Sequence, residues 1–416
     1  MNAERNDRMS RRGLLGQAGR ALVAASAAGG LASASADEIK LLDKTEVPDN
    51  PLADDRKVKV GIVGGGFGTS FQFHEHPNCT VHAVSDLRTD RRDALMKTYK
   101  CERSYESLEK MLLDREIEAV AIFTEAPSHA KHVLETLAAG KHAASAVPAA
   151  MTLEDCEKML EAKQRTGLKY MMFETSYYRA YTIAARELFR QGKFGDLFYS
   201  EVEYYHPKDE GFVKRYYYHN GKRTWRYGLP PMLYPTHSTG FLIGVTGERL
   251  TQVSCLGWAN PEDPTLKDNV YDNRITAASA LCGTDKGHMC RCNVFWAGTE
   301  HGERAQWFGT DLSLFMPASS KQPFAVRGKN APDWTDVPKY WERLPKPLRH
   351  DSGHGGSHTF LTHEFIAAIV EDREPTVNIR EALAMTAPGI VADASARKNG
   401  EQMKVPSFDA PRDNAG

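Results

Sequence analysis

A glycine-rich turn after a short β-branched segment constrains the fold more than any other feature of the chain. The segment VKVGIVGGGFGTSF (58–71) places Gly64, Gly66 and Gly68 directly after a run typical of a buried strand. Glycine permits a tight turn and a close approach of the backbone to a pyrophosphate, and the helix expected next would direct its N-terminus at the phosphate charge. Thr69 stands at the sixth position of the usual G-x-G-x-x-G spacing, so the third glycine comes one residue early. The segment predicts a dinucleotide-binding turn.

An acidic residue at the end of the next strand-like segment supports this interpretation. Asp86 ends TVHAVSD (80–86), 20 residues after Gly66. A carboxylate there can accept hydrogen bonds from both ribose hydroxyls and repels a 2′-phosphate, which favours NAD over NADP. Because Arg88 lies close by in the sequence, NADP stays the less favoured alternative cofactor. The alternative is a glycine-rich turn in some other α/β fold.

Strand and helix patterns alternate through the first part of the chain. Strand-like segments lie at 57–63, 80–86, 118–124, 141–146 and 169–175, and helical periodicity covers 104–117, 128–140 and 152–167. Short strands alternating with helices of this length favour a parallel, doubly wound sheet. We therefore expect an α/β Rossmann domain that binds NAD(P) over residues 56–177.

Beyond residue 178 the pattern changes to strand-like segments with few helices between them. The segments are DLFYSEVEYYH, RLTQVSCLGW, ITAASALC and HMCRCNVFW, and helices are expected at 358–372 and 379–400. This pattern favours a second α+β domain over residues 178–410 that is built on a mostly antiparallel sheet. The stretch at 203–228 is rich in Tyr, Arg and Lys, which is typical of a carbohydrate-binding loop or, alternatively, of a dimer contact.

Composition excludes several classes of function. The net charge of −1 gives no electrostatic reason to expect binding to nucleic acid or to an anionic membrane. Seven scattered cysteines without a C-x-x-C pair predict neither a disulfide framework nor a zinc site. His350, His354 and His358 are separated by glycines and are not expected to share a helical face, so we predict no metal site. No segment after the N-terminal region is apolar and long enough to predict a transmembrane helix.

The N-terminal segment SRRGLLGQAGRALVAASAAGGLASASADE predicts an export signal. Paired Arg11 and Arg12 precede an apolar run that is too short and too rich in Ala and Gly to span a bilayer, which takes roughly 20 apolar residues. Small residues at 34–36 suit a cleavage site, so residues 1–36 are predicted to be a twin-arginine-type signal and residues 37–55 a polar linker. That route carries folded proteins, which predicts a periplasmic or other extracytoplasmic protein exported with its cofactor. A disordered basic tail is the alternative.

These motifs resemble the Gfo/Idh/MocA family, the glucose–fructose oxidoreductase and inositol dehydrogenase type, over roughly residues 57–405. The resemblance rests on VGIVGGGFG, VSDLRTDR, EAVAIFTEAPSHAKHVLETLAAGKH, a turn at Pro148 and YPTHSTG (234–240). It implies a Rossmann domain followed by an open-faced, mostly antiparallel α+β domain, with the active site between them against the nicotinamide. It also implies a carbohydrate substrate and a homo-oligomer that pairs through the second-domain sheet.

Two polar positions of the family's dehydrogenases are apolar in this chain. Those enzymes usually carry Glu-Lys-Pro at the end of the fourth strand, where this chain has Ala146, Val147 and Pro148. Their later Asp-x-x-x-His pair corresponds to Leu233 and His237. Because valine and leucine cannot move protons, the resemblance does not favour a plain dehydrogenase of the lysine type.

Within the superfamily, the chain is similar to the NAD-dependent glycosidases of the α-N-acetylgalactosaminidase-like branch, which also have valine before this proline. MMFETSYY resembles their Met-Met-x-Glu-Asn stretch, with Thr175 replacing Asn, and YPTH and GHGG bring Tyr234, His237 and His354 to matching active-site positions. A further tyrosine of that branch has no clear match, and the chain offers His301 instead. The resemblance implies that bound NAD⁺ oxidises the sugar transiently, a base assists elimination, water adds back and the hydride returns. Histidine, or a tyrosine polarised by one, suits such a base near neutral pH.

We therefore predict catalytic roles for His237, Tyr234 and His354. The residues predicted to hold the cofactor are Gly64, Gly66, Phe67, Gly68, Asp86, Arg88, Thr124, His129, Val147 and Glu174. Three functions stay open at this point. The first is a carbohydrate-active glycosidase or lyase that works by transient oxidation, the second a net sugar dehydrogenase or sugar–sugar oxidoreductase, and the third a non-catalytic sugar- or nucleotide-binding homologue.

Overall fold

A six-stranded parallel sheet forms around the glycine-rich turn in the computed structural model of the chain. The structure describes Leu52 and residues 54–318 and 322–409, so the predicted signal (1–36) and most of the predicted linker (37–55) lie outside the described residues. The strands are β1 (Val58–Val63), β2 (Cys79–Ser85), β3 (Ser104–Tyr105), β4 (Ala119–Ile122), β5 (His142–Ser145) and β6 (Tyr170–Met172). Their order, β3-β2-β1-β4-β5-β6 with every pair parallel, is that of a Rossmann domain and confirms the predicted fold class.

The helices of this domain match the predictions at 128–140 and 152–167, differ at 104–117, and include one at 89–99 that was not predicted. They are α1 (Thr89–Tyr99), α2 (Leu108–Leu112), α3 (His129–Ala138) and α4 (Leu153–Thr166). Thr152 caps α4, since its hydroxyl accepts the Asp155 N–H at 3.1 Å. The helix expected at 104–117 is wrong in its first part, because Ser104 and Tyr105 pair with β2 and Ser107 caps a shorter helix.

The connection from β1 to β2 contains no α-helix, which corrects the expectation of a helix directly after the glycine turn. Two short 3₁₀ turns, Phe67–Ser70 and Phe73–Glu75, take its place. A later helix, α8 (Gly353–Val370), supplies donors to the carbonyl groups that an α-helix would have used internally. The Thr362 hydroxyl donates to the Phe71 carbonyl, and His358 Nδ1 lies 2.8 Å from the Ser70 carbonyl.

The second sheet has eight strands in the order β15-β14-β13-β7-β12-β11-β10-β16. The remaining strands are β7 (Leu197–Pro207), β8 (Tyr218–His219), β9 (Lys222–Arg223), β10 (Leu250–Trp258), β11 (Ala277–Thr284), β12 (Met289–Gly298), β13 (Gly302–Gly309), β14 (Leu312–Phe315), β15 (Ala325–Gly328) and β16 (Met403–Lys404). Strands β7 and β12 pair in parallel and the other neighbours are antiparallel, while β8 and β9 form a separate hairpin. The sheet is therefore mixed and mostly antiparallel, as predicted.

Five helices accompany this sheet. They are α5 (Ala180–Arg190), α6 (Glu210–Tyr216), α7 (Thr236–Thr246), α8 (Gly353–Val370) and α9 (Ile379–Arg397). Helix α7 is buried along most of its length and is held by side chains, since the Ser238 hydroxyl donates to the Asn293 carbonyl and the Thr239 hydroxyl to the Met385 carbonyl. Within the described residues, no helix combines the length and apolar character needed to cross a membrane.

Candidate active site

Backbone contacts shape the glycine turn and leave one side of it open. A Cβ on Gly64, whose φ is +99°, would lie 2.3 Å from the carbonyl oxygen of Phe123, and a Cβ on Gly65 would lie 2.3 Å from the carbonyl oxygen of Arg91. The atoms nearest to a Cβ on Gly66 belong to the Arg91 guanidinium, at 3.6 Å, so the open side faces a cation. This cradle fits the pyrophosphate of a dinucleotide.

Gly68 and Phe67 connect the turn to its surroundings. The Gly68 N–H donates to the Gly64 carbonyl at 3.1 Å, and a Cβ on Gly68 would come within 2.9 Å of the Phe123 ring. The Phe67 ring contacts two imidazoles, those of His354 and His358, with centroids 5.5 Å apart in both cases. The cofactor turn and the histidines described below are therefore in direct contact.

Asp86 closes the turn from the end of β2. Its Oδ2 accepts the Gly65 N–H at 2.7 Å and its Oδ1 accepts the Arg88 N–H at 2.8 Å, and each oxygen keeps a lone pair for a ribose hydroxyl. The Arg88 side chain is engaged elsewhere, because it pairs with Asp90 and lies 3.2 Å from Nδ1 of His219. With that guanidinium occupied, the residues fit NAD better than NADP.

Three residues predicted to hold the cofactor lie at the ends of β4 and β5. The Thr124 hydroxyl hydrogen-bonds Nδ1 of His132 at 2.8 Å, and Val147 is buried beside Pro148. The ring nitrogens of His129 lie 3.1 Å from the Thr124 carbonyl and 2.8 Å from the Pro148 carbonyl. Burial lowers the pKa of His129 to about 4. Both ring nitrogens of His129 face backbone carbonyls, and the neutral imidazole can donate its single proton to one of them, so His129 links the two loops and its contact with the cofactor stays a prediction.

A buried carboxylate–imidazole pair forms the centre of the candidate site. Glu174 follows β6, and its Oε1 lies 2.7 Å from Nδ1 of His237 on α7. The same oxygen accepts the N–H and the hydroxyl of Ser176, both at 2.8 Å. Burial raises the pKa of Glu174, but the charge and hydrogen bond of His237 outweigh burial and hold this pKa below its ordinary value. The ionised carboxylate accepts the proton on Nδ1 of His237, so Nε2 is the ring nitrogen that Glu174 does not engage.

Aromatic side chains enclose His237. The rings of Tyr204 and Tyr234 lie 4.6 Å and 5.5 Å from its ring, centroid to centroid, and Trp296 lies 6.1 Å from Tyr234. The Tyr204 hydroxyl hydrogen-bonds Nε2 of His206. Burial raises the pKa of both tyrosines above the ordinary phenol value, so both are neutral at neutral pH.

His354 reaches the same cluster from an unusual backbone turn at the start of α8. His354, Gly355 and Gly356 are all left-handed, with φ of 53°, 63° and 87°. The turn brings the His354 ring to 6.4 Å from the His237 ring, with 25° between the ring planes. The Gly355 position needs glycine for space as well, because a Cβ there would lie 2.7 Å from the Arg179 guanidinium.

A chain of hydrogen bonds sets the protonation of His354. Its Nδ1 lies 2.8 Å from Nε2 of His358, and Nδ1 of His358 lies 2.8 Å from the Ser70 carbonyl. A carbonyl oxygen only accepts, so neutral His358 carries its proton on Nδ1 and accepts the Nδ1 proton of His354. Burial lowers the pKa of His358 to about 4 and that of His354 still further, so both stay neutral. His354 therefore presents an unprotonated Nε2.

The remaining histidines of the region have different surroundings. His301 lies against His206, with ring centroids 4.4 Å apart, on the side of Tyr204. His350 lies 2.7 Å from a carboxylate oxygen of Glu75 and does not join His354. No group of three or more His, Cys, Asp or Glu side chains in the described part of the chain is arranged to hold a metal ion.

The structure brings Tyr234, His237 and His354 together, and their catalytic roles remain predictions. It also adds partners that the motifs did not indicate, namely Tyr204, His206, Arg226, Trp296 and His358. Most of these lie on strands or loops distant in sequence from the motifs. The signal that could have found them is the dense run of Tyr, His and Arg at 203–228.

Two segments of the chain match known protein families. Residues 58–174 match the oxidoreductase family with an NAD-binding Rossmann fold, and residues 312–412 match the C-terminal domain of glycosyl hydrolase 109. A glycosyl hydrolase family 109 protein of Streptomyces coelicolor is 23% identical over 400 residues, covering 86% of this chain and 84% of the relative. Another, from Porphyromonas gingivalis, is 30% identical over 195 residues, covering 44% and 41%.

Solved structures match the fold over most of the chain. A levoglucosan dehydrogenase in complex with NADH superposes with a TM-score of 0.67 at 18% identity, covering 85% of this chain and all (100%) of that one. The apo scyllo-inositol dehydrogenase of Lactobacillus casei gives a TM-score of 0.65 at 18% identity, covering 84% and 98%. Residues 58–174 therefore form an NAD-binding Rossmann domain of the Gfo/Idh/MocA oxidoreductase type, and residues 312–412 match a C-terminal domain of the glycosyl hydrolase 109 type.

Proposed function

We propose that the protein is an NAD-dependent enzyme that cleaves a glycosidic bond of a carbohydrate without net oxidation. The relatives named glycosyl hydrolase family 109 and the sugar dehydrogenases among the structural neighbours support a carbohydrate substrate. The observation that carries the proposal is the pair of imidazoles, His237 and His354, whose rings face each other 6.4 Å apart in a buried aromatic cluster.

The loop after β5 favours this reaction over that of a lysine-type dehydrogenase. Val147 is buried there beside Pro148 and cannot donate or accept a proton. We therefore assign proton transfer to the histidine cluster. A base and its orienting carboxylate are present in His237 and Glu174, 2.7 Å apart.

Different residues of the chain would bind the cofactor and transfer the proton. The glycine turn and Asp86 would hold NAD, which when bound would accept a hydride from a hydroxyl-bearing sugar carbon and return it at the end, so that the neighbouring C–H becomes acidic in between. Nε2 of His237 is placed to remove that proton, while Glu174 stabilises the imidazolium that forms. The leaving group then departs from the next carbon with its bonding electrons. Water adds its oxygen at that carbon and gives up a proton that neutralises the leaving group, while the proton held by His237 returns to the carbon from which it came. Tyr234 and Tyr204, as neutral phenols, can donate hydrogen bonds to sugar oxygens.

Cofactor content and glycoside cleavage test the proposal together. The protein is purified without added cofactor, a portion is denatured, and the nucleotide released is quantified; the native portion is assayed on aryl α- and β-glycosides without added NAD. We expect close to one NAD per chain and aryl release without accumulation of NADH. A protein that contains no NAD and binds none when it is added would contradict the proposal.

We further propose that the protein is exported in the folded state through the twin-arginine route. The support is the sequence SRRGLL ahead of a weakly apolar, Ala- and Gly-rich run. A test is fractionation of bacteria expressing the full chain and a variant with Arg11→Lys and Arg12→Lys. We expect only the parent chain in the periplasm, and equal export of both would contradict the proposal.

We also propose a homo-oligomer that pairs through the second sheet. Large apolar side chains are exposed on neighbouring strands, with Leu256 65%, Trp258 58% and Leu281 53% exposed. An apolar sheet face of this kind is typical of an interface. Light scattering should give a multiple of the chain mass for the parent and the single mass for a Trp258→Glu, Leu281→Glu variant. A monomeric parent would contradict this proposal.

A further inference from the structure

Arg226 is a half-buried cation without a carboxylate partner in the described part of the chain. Its guanidinium lies over two aromatic rings, 4.5 Å from the Trp225 centroid and 5.2 Å from the Tyr234 centroid. Taking a cation partly out of water without a counter-charge is unfavourable, and contacts with ring faces offset only part of that loss. A cation held in this way is prepared for an anion that comes from outside the chain.

Other cations in the same region have acidic partners. Arg179 pairs with Glu303, and Lys208 pairs with Asp263, in both cases with the carboxylate largely buried. The carboxylate of Glu174 is engaged by His237 and Ser176. Of Arg179, Lys208 and Arg226, Arg226 is the one without an acidic partner in the described residues.

Arg226 faces the candidate active site. It lines a narrow cleft with His206, Tyr217 and Trp296. Burial, and after it the charge of Arg226, lowers the pKa of His206 well below its ordinary value, which shows that the guanidinium is close to that ring. The Tyr234 ring that Arg226 covers is itself 5.5 Å from the ring of His237. A single aromatic side chain therefore separates the free cation from the proposed base.

We propose that Arg226 binds an oxyanion on the sugar, a uronate carboxylate or a sulfate ester, so that the enzyme acts on anionic carbohydrates. A planar guanidinium can donate two parallel N–H groups to either oxyanion. This inference rests on the proposed function in one respect, since it takes the histidine cluster to be the sugar site.

Binding of free sugars tests the inference without requiring turnover. The NAD-containing protein is titrated by calorimetry with glucuronate, galacturonate and N-acetylglucosamine 6-sulfate, and with the neutral parents glucose, galactose and N-acetylglucosamine. We expect at least one anionic sugar to bind about 10- to 100-fold more tightly than its neutral parent, the range expected for one charge-assisted contact. Preference for the uronates or for the sulfated sugar then identifies the oxyanion.

Three variants make the test specific. Arg226→Met should abolish the preference for the anionic sugar, and Arg226→Lys should retain part of it. Arg223→Met is the matched control, because Arg223 also covers a tyrosine ring, at 4.1 Å from the Tyr227 centroid, but lies exposed outside the cleft. Retention of NAD and an unchanged melting temperature show that each variant is folded.

Two results would overturn the inference. One is neutral sugars that bind as tightly as their anionic derivatives in the parent protein. The other is an Arg226→Met variant that folds but has lost its NAD, since Arg226 would then serve the cofactor. Anionic sugars that bind through Arg226 without any glycoside cleavage would support the inference and count against the proposed function alone.

Discussion

The glycine turn and the histidine cluster are built in different ways. The turn occupies one segment, 64–68, and its shape depends on space, because an added Cβ on Gly64 would collide with the backbone of Phe123. The cluster collects side chains from separate elements, among them Glu174 and His237, and depends on hydrogen bonds that fix where each proton resides. We therefore expect that a substitution in one region changes cofactor retention and a substitution in the other changes proton transfer.

The largest expected effect is on turnover when the base is removed. Glutamine at position 237 keeps a polar side chain of similar size but cannot act as a base. We expect His237→Gln to lower kcat by about 10²- to 10⁴-fold while NAD content stays close to one per chain. Steady-state kinetics and nucleotide quantification check this, and a variant that loses NAD as well would show that the two regions are not separable.

A substitution in the glycine turn should have the opposite effect, loss of the cofactor while the proposed base is kept. Gly64→Ala places a methyl group 2.3 Å from the Phe123 carbonyl oxygen at a φ of +99°. We expect loss of bound NAD and a free energy of unfolding lower by roughly 3 kcal/mol. Gly140→Ala is the control, because its φ is +75° but nothing lies within 4 Å, so only the backbone penalty of about 1 kcal/mol applies. Equal NAD content in both variants would argue against the cradle.

Acid stability tests the histidines that join α8 to the β1–β2 connection. His76 and His363 bond through ring nitrogens 3.0 Å apart, and burial lowers their pKa values to about 3 and about 4. The unfolded chain takes up these protons near pH 6.5 and the native chain does not, so stability is constant above that pH and decreases as the pH falls toward 4.

At about pH 5 each such histidine should lower the free energy of unfolding by about 1–2 kcal/mol. Urea unfolding at several pH values measures the slope. His363→Leu should flatten it, and an unchanged slope would exclude His363 as a contributor.

The smallest expected effect concerns the residue that orients His354. Without Nε2 of His358, Nδ1 of His354 has no acceptor and its protonation is no longer fixed. We expect His358→Leu to lower kcat about tenfold, the loss expected for one hydrogen bond. His363→Leu, one turn further along α8, provides the control and should leave kcat unchanged.

Much of the fold follows from patterns in the sequence, and the exceptions have physical reasons. The alternating segments predict the parallel sheet because each strand is buried and short. The expected helix after the glycine turn is missing because Thr362 and His358 of α8 supply its hydrogen bonds. Helix α7 was not predicted because its residues, THSTGFLIGVT, include weak helix formers that tertiary contacts hold in place.

The candidate site was predicted only in part. Motif residues such as His237 and His354 could be found because each lies in a distinctive local sequence. Arg226 and Tyr204 lie in the predicted carbohydrate-binding stretch at 203–228, but the pattern could not show which of its side chains contact Tyr234 and His237. The two backbone carbonyls that face the ring of His129 could not be predicted either, because they belong to separate loops.

Solvent exchange tests the central claim most directly. A cleaved glycoside is allowed to react in D₂O with the NAD-containing protein, and the product is analysed for deuterium by mass spectrometry and NMR. The account predicts deuterium on the carbon next to the transiently oxidised one, with no accumulation of NADH, because His237 exchanges its proton with solvent before returning it. NADH that accumulates beside an unlabelled, oxidised product would contradict the account and identify a net dehydrogenase.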